Sequence, residues 1–331
     1  MLGICLLGAG RIGAVHAKNL VEHPQVKLLY VVDVDESAAK RLADLHRCKA
    51  STTKDDALRD PNVHAVVIAT STDTHVDYIV AAAKAQKAIF CEKPIDLDLE
   101  RTISCLNEVE KHKTPLFIGF NRRFDTHFAR VKKAMHAGEI GALETVVITS
   151  RDPAPPPAAY VKRSGGLFRD MMIHDFDMAR FLLAEEPVEI FATGSCLVDP
   201  GIGKEGDVDT AMVVMKTAKG VLCHINNSRR AVYGYDQRVE VLGSKGMLRA
   251  ENPLDSTVQS FSDQAPAVAK LPYFFIERYM QAYRHEIDHF ITSIVEKTPL
   301  AVTGFDGQRA LVLANAAVES LKTGRSIHIS N

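Results

Sequence analysis

The chain has 331 residues, 46% hydrophobic and 24% charged, enough for a large core and two domains and ordinary for a soluble globular protein. Its 40 basic and 41 acidic residues leave a formal net charge of -1, so no global field draws nucleic acid or an anionic membrane. The apolar start lacks a basic n-region and reads as a strand, and no apolar run nears the roughly 20 residues of a membrane span, so a cytoplasmic protein is expected.

The six cysteines, Cys5, Cys48, Cys91, Cys105, Cys196 and Cys223, form no Cys-x-x-Cys pair and have no zinc-finger spacing. Several sit in apolar runs, where a reduced thiol acts as a small hydrophobe. The expectation is a disulfide-free protein without a bound metal.

From residue 1 to about 120, short β-rich apolar runs alternate with helical patterns. Strands are expected at Ile4 to Leu7, Val26 to Val32, Ala65 to Ala69, Ala88 to Cys91 and Leu116 to Ile118. Helices are expected at Ile12 to His23, Ser37 to Leu45, Thr74 to Ala85 and Leu97 to Lys111. Near-continuous apolar strands alternating with helices predict a doubly wound parallel sheet covered on both faces, the Rossmann arrangement.

Gly8-Ala9-Gly10-Arg11-Ile12-Gly13 follows the first strand and opens the first helix, and Asp33 ends the second strand twenty residues later. That context is a dinucleotide-binding fingerprint. The glycines serve the tight turn, the close approach of backbone to pyrophosphate, and helix–strand packing, while the helix N-terminus, with Arg11 and Ile12, faces the phosphates. Asp33 would accept hydrogen bonds from the ribose hydroxyls. With Asp35 and Glu36 beside it and no Arg or Lys to greet a 2′-phosphate, NAD is expected over NADP.

Ala69-Thr70-Ser71-Thr72-Asp73-Thr74-His75 follows the next apolar strand. Thr70, Ser71, Thr72 and His75 suit the cofactor crevice at a strand's carboxyl end. Thr72 or Asp73 fits a plain helix N-cap equally well. The fifth strand ends in Glu92-Lys93-Pro94, which puts Lys93 at the same edge in an extended conformation set by the proline.

The second domain is expected over residues 121–331. A helix from Phe128 to Ala137 and a strand from Glu144 to Thr149 lead into Arg151-Asp152-Pro153-Ala154-Pro155-Pro156-Pro157, a semi-rigid loop that runs straight on to the next helix. That helix is predicted to continue from Gly165 to Leu183. At roughly 100° per residue it carries Asp170, His174 and Asp177 on one stripe and Met172, Phe176, Ala179 and Leu183 behind. As a stripe alone it is either a solvated face or a site.

Alternating runs follow at Glu189 to Leu197, Thr210 to Lys216, Val221 to Asn227, Gln237 to Leu242 and Met247 to Glu251, with hairpin turns at Thr217–Gly220 and Gly243–Gly246. They predict an α+β domain with a large, mainly antiparallel, open-faced sheet. Helices at Phe275 to Glu296 and Gly307 to Lys322 close the chain.

The N-terminal glycines, Glu92-Lys93-Pro94, Gly119-Phe120-Asn121-Arg122-Arg123-Phe124 and the Gly165 to Asp177 stretch together resemble, in order, the motifs of the Gfo/Idh/MocA oxidoreductase family. The resemblance spans essentially the whole chain. It implies that Lys93 meets both nicotinamide and substrate, often before a cis proline, and that Glu92 borders the cofactor. It also implies a homo-oligomer, tetramer or dimer, through the open sheet face.

The segment Asn226 to Arg238 resembles that of the inositol-oxidising members most, where a tyrosine lines the pocket; Tyr233 and Tyr235 both qualify, with Tyr235 preferred. The resemblance thus implies NAD-dependent oxidation of a small cyclic polyol, myo-inositol to 2-keto-myo-inositol (scyllo-inosose). His174 would be the general base, since an imidazole titrates near about 6.5. Asp170 would orient it, Lys93 would stabilise the alkoxide, and Asp177 would bind neighbouring hydroxyls. Asn121, Arg123 and Asp152 complete the expected substrate contacts. Asn121 and Asp152 depart from the pattern of some members, which leaves another cyclitol or an aldose as the alternative substrate.

Overall fold

The computed structural model describes residues 1–263 and 267–330. It forms two compact units, Met1–Phe124 with Gln281–Leu311, and Asp125–Met280 with the chain from Val312 onward.

The first unit runs β1 (Leu2–Leu7), α1 (Arg11–Glu22), β2 (Val26–Val32), α2 (Glu36–His46), β3 (Lys49–Ser51), α3 (Lys54–Arg59), β4 (Ala65–Ile68), α4 (His75–Lys84), β5 (Ala88–Cys91), α5 (Leu99–Lys111) and β6 (Leu116–Ile118). The strands make one parallel sheet in the order β3-β2-β1-β4-β5-β6. Every residue of β4, β5 and β6 is buried, as expected for strands covered on both faces. The Rossmann expectation holds. The winding reverses between β1 and β4, and a crevice opens beyond the carboxyl ends of these two strands. Short, half-exposed β3 and α3 went unforeseen because neither carries enough apolar residues to make a pattern.

The second unit begins with α6 (Thr126–His136) and β7 (Leu143–Arg151), followed by α7 (Ala158–Ser164) and α8 (Ile173–Leu183). Next come β8 (Pro187–Ser195), α9 (Pro200–Lys204), β9 (Thr210–Thr217), β10 (Leu222–Ser228), β11 (Asp236–Gly243) and β12 (Gly246–Ala250). A small hairpin, β13 (Gln259–Ser260) and β14 (Ala267–Val268), precedes α10 (Phe275–Glu296), α11 (Gly304–Thr323) and β15 (Ile327–His328). The large sheet has the order β12-β11-β7-β10-β9-β8-β15. It is antiparallel except where β10 lies parallel to β7, so the mainly antiparallel expectation holds. Both α10 and α11 give residues to each unit, and α10 is kinked at Tyr279 just before the division.

One face of this sheet buries Val146, Ile148, Val213, Ile225 and Val239, and α8 packs along β7 with Phe176 and Ala179 wholly buried. The opposite face is open. Phe191 pairs with Val214, and Leu242 with Met247, so these side chains and Leu222 share it while remaining exposed.

The proline loop does not run straight into the Asp170 helix, because α7 intervenes. Nor is that helix continuous: Leu167–Met171 forms a π-turn, with the Met172 amide donating to the Leu167 carbonyl at 2.9 Å, before α8 begins. Gly165 and Gly166 both have positive φ, 85° and 80°, which breaks the chain between α7 and the π-turn. A Cβ on Gly166 would come within 2.7 Å of the Asp207 carboxylate, whose other oxygen accepts the Leu167 amide at 2.9 Å. Asp207 thus caps the turn where no residue beside it does, and its burial raises its pKa.

Candidate active site

In the first unit, a cavity of about 340 Å³ lies at the crevice, lined among others by Gly8, Gly10, Asp33, Thr70, Ser71 and Tyr78. The three glycines have distinct reasons to lack a side chain. Gly8 has φ of 104°, and a Cβ there would sit 2.5 Å from the Ala69 carbonyl oxygen. A Cβ on Gly13 would lie 2.0 Å from the Gly8 carbonyl oxygen, so α1 could not approach β1 as it does. At Gly10 a Cβ would meet nothing within 4 Å. Packing therefore leaves this position open, and Gly10 begins a helix whose first amides have no side-chain cap. An open backbone at an uncapped helix N-terminus fits a pyrophosphate. The residues present fit a dinucleotide.

Asp33 accepts the Ala9 amide at 2.7 Å through one oxygen and the Asp35 amide at 2.9 Å through the other. Its carboxylate is thus anchored in the glycine turn while bordering the cavity. Asp35 caps α2, and its hydrogen bond from Ser37 heads the causes that lower its pKa. Thr72 and Asp73 make no cap to α4, whereas the Thr70 and Thr74 hydroxyls lie 2.7 Å apart and bind the loop to itself.

The Lys93–Pro94 peptide is cis. His75, 1% exposed, lies behind it with Nδ1 2.7 Å from the Pro94 carbonyl oxygen and Nε2 3.1 Å from that of Thr70. Burial lowers its pKa against the raising effect of these carbonyls. His75 therefore holds the lysine turn and the Thr70 loop together rather than facing open solvent. Glu92 meets the Nε2 of His16 at 2.7 Å. Asn121 is buried, and the Arg123 guanidinium binds the Asp306 carboxylate at 2.8 Å and the Ala301 carbonyl at 3.2 Å.

In the second unit, Asp170 stands in the π-turn and His174 one turn on in α8, both half-buried. The Tyr160 hydroxyl donates to Asp170 at 3.1 Å, and the buried guanidinium of Arg229 lies 3.5 Å from its other oxygen. Burial and the Asp170 charge raise the Tyr160 pKa. Asp177 is only 1% exposed and lies 3.9 Å from Arg180, which is itself bound to Glu186. The chain at Asp152 is fixed by its amide bonding the Ser228 carbonyl at 2.9 Å and its carbonyl accepting the Ala231 amide at 2.7 Å. Tyr235 is buried edge-on against Tyr279, while the Tyr233 hydroxyl accepts from Arg151 at 2.9 Å and donates to Asp236 at 2.7 Å.

Sequence reading passed over Tyr160, Arg229, His16 and Asp207. Tyr160 and Arg229 lay in segments with no periodicity. The one available signal was the Arg229-Arg230 pair inside a stretch already marked as unusually polar.

Residues 2–120 match the oxidoreductase family with an NAD-binding Rossmann fold, and residues 128–249 match the GFO/IDH/MocA C-terminal domain. The chain is 51% identical to inositol 2-dehydrogenase of Rhizobium meliloti over 326 residues, 98% of each chain. It is 47% identical to myo-inositol 2-dehydrogenase of Thermotoga maritima, again over 98% of each. The chain belongs to the Gfo/Idh/MocA family. A myo-inositol dehydrogenase structure from Corynebacterium glutamicum superposes with a TM-score of 0.97 at 41% identity, covering 100% of this chain and 99% of that one. As a member of the Gfo/Idh/MocA family, the chain is an NAD-binding oxidoreductase, with residues 2–120 matching the family's NAD-binding Rossmann fold. Among the described residues no helix is long and apolar enough to cross a membrane.

Proposed function

We propose that this protein oxidises myo-inositol to 2-keto-myo-inositol (scyllo-inosose) with NAD. The observation that carries the reading is 51% identity, over 98% of each chain, to a protein named inositol 2-dehydrogenase. NAD, when bound, supplies the two-electron acceptor. Every other requirement falls to the chain's own side chains. An alcohol losing a hydride must also lose its hydroxyl proton, and His174 takes it. Asp170 orients His174 and balances its charged form, while Tyr160 and Arg229 each hold one oxygen of Asp170. Lys93, as an ammonium, stabilises the developing alkoxide. Asp177, Asp152, Asn121 and Tyr235 serve the remaining hydroxyls. A carboxylate accepts several hydrogen bonds at once, which suits a ring carrying a hydroxyl on each carbon.

Another inositol isomer or an aldose is the competing substrate, favoured by the departures at Asn121 and Asp152. The proposal includes a cytoplasmic homo-oligomer joined through the open sheet face, where Met212, Val214, Leu222 and Met247 are exposed. The deciding experiment is NAD reduction against a panel of inositol isomers and hexoses. Turnover highest with myo-inositol supports the reading; efficient NADH formation with glucose but not with myo-inositol overturns it.

A further inference from the structure

Behind the Glu92–Lys93–Pro94 turn lies a polar cluster to which the proposed chemistry assigns no work. His16 of α1 is 0% exposed, Glu286 of α10 is 0% exposed, and their candidate ligand atoms and one of Glu92 all lie within 4.8 Å of one another. His16 Nε2 meets Glu92 at 2.7 Å, yet His16 Nδ1 and both carboxyl oxygens of Glu286 have no hydrogen-bond partner. All three residues belong to the first unit.

The surroundings are apolar. The Phe90 ring stands edge-on to His16 at 5.0 Å between centroids and the Tyr283 ring at 5.9 Å, and Phe290 is wholly buried one turn along α10 from Glu286. From α1 the cluster is faced by His16, from α10 by Glu286 and Tyr283, and from the end of β5 by Glu92 with Lys93 next in sequence. His75 senses the charges of both Glu92 and Lys93. A buried carboxylate with neither cation nor donor is strongly disfavoured, and two carboxylates this close do not both stay ionised. Either a proton or a divalent cation must resolve the cluster.

The geometry favours the proton. A neutral imidazole donating from Nε2 to Glu92 leaves Nδ1 as a bare acceptor, and a protonated Glu286, in no direct hydrogen bond with it, supplies a proton to the cluster through one buried water. The Glu286 carboxyl is wholly buried among apolar rings, and a proton removes its charge where no cation or donor reaches it. Groups gathered this closely suit linkage by protons or by one buried water.

We propose that Glu286 is a neutral carboxylic acid whose proton, with that of His16, fixes Glu92 as the single anion of the cluster. Glu286 is then a positioning residue for the Glu92–Lys93–Pro94 turn. Burial first, and the Glu92 charge second, raise its pKa well above the ordinary carboxyl value, in agreement. The assignment to that turn's function rests on the role proposed for Lys93, but the protonation does not.

The test uses the full-length protein with NAD bound. Infrared spectra of wild type and Glu286→Gln, with carbon-13 glutamate labelling, are compared at neutral pH. A protonated-carboxyl band present in wild type and lost in the variant is expected; its absence from wild type overturns the proposal. Metal analysis, with melting before and after a chelator and with added zinc or manganese, is expected to show no bound ion and no shift. A stoichiometric ion whose removal lowers the melting temperature overturns it. In turnover, Glu286→Ala is expected to lose about tenfold in kcat and Glu286→Gln, which keeps a neutral donor, to recover most of it. A glutamine variant no better than alanine counts against the neutral-acid role. The spectral and metal readouts need no substrate, so they stand even if the inositol panel fails.

Discussion

His75 Nδ1 approaches the Pro94 carbonyl oxygen at 2.7 Å inside the first unit, closer than its Nε2 approaches Thr70. Both partners are carbonyls, so a neutral ring can donate to only one of them. The shorter contact assigns the proton to Nδ1, and Pro94 receives it. The histidine is in this way a clamp on the backbone that carries Lys93.

Replacing His75 by alanine is therefore expected to leave a buried carbonyl without its donor, at a cost of about 1–3 kcal/mol. Urea unfolding of the two proteins measures it directly. Because burial lowers the His75 pKa in the folded state, the unfolded chain binds more protons at mildly acidic pH. Stability then rises with pH in that window and falls as pH drops below the ordinary value of 6.5 toward the folded one. The His75→Ala variant is expected to lose this contribution to the acid slope. An unchanged slope assigns it elsewhere.

The glycine turn separates packing from binding. Gly13→Ala would place a Cβ 2.0 Å from backbone that cannot move aside, so a loss of about 1–3 kcal/mol and a lower melting temperature are expected. Gly10→Ala meets nothing within 4 Å and is expected to melt close to wild type. Its methyl group would instead stand where the backbone is left open, raising the Kd for NAD by about tenfold or more. Calorimetry for melting and titration for NAD check both variants.

The parallel sheet was legible because each strand is an apolar run bounded by turn residues, and the glycine motif sits between one such strand and a helix. The second unit was legible in its strands but not around Asp170. Roughly 100° per residue was assumed across Gly165–Leu183, and a π-turn breaks that period where two glycines with positive φ precede it. Asp177, read as a companion of Asp170 on an outer stripe, is buried beside Arg180. The partners of Asp170 come from α7 and from the segment after β10, distant in sequence, so no local pattern announces them. His16 and Glu286 share that limit, because a lone polar residue in an amphipathic helix gives no sign of what it faces.

We propose that Asp33 sets the choice of cofactor. Its carboxylate is pinned by the Ala9 and Asp35 amides, so it cannot swing away from a 2′-phosphate. Wild type is expected to use NAD at least about a hundredfold better than NADP in kcat/KM, since like-charge juxtaposition costs several kcal/mol. The double change Asp33→Ser with Val34→Arg is expected to narrow this ratio by about tenfold or more. Initial rates with both cofactors check it, and comparable rates in wild type would count against a charge-based choice.

Lys93→Ala and His174→Ala are each expected to lower kcat by about a hundredfold or more, the range for general-base and oxyanion groups. Arg229→Leu tests the support of Asp170, because the guanidinium lies 3.5 Å from the carboxylate and is 2% exposed. Leucine removes both the contact that fixes the Asp170 carboxylate and a cation whose charge opposes that of a protonated His174. The acid limb of the kcat–pH profile is therefore expected to shift, with kcat lowered by about tenfold and the Kd for NAD unchanged. A purely structural loss would instead lower the melting temperature and leave the profile's shape in place. Measuring the profile and the melting curve on the same preparation separates the two.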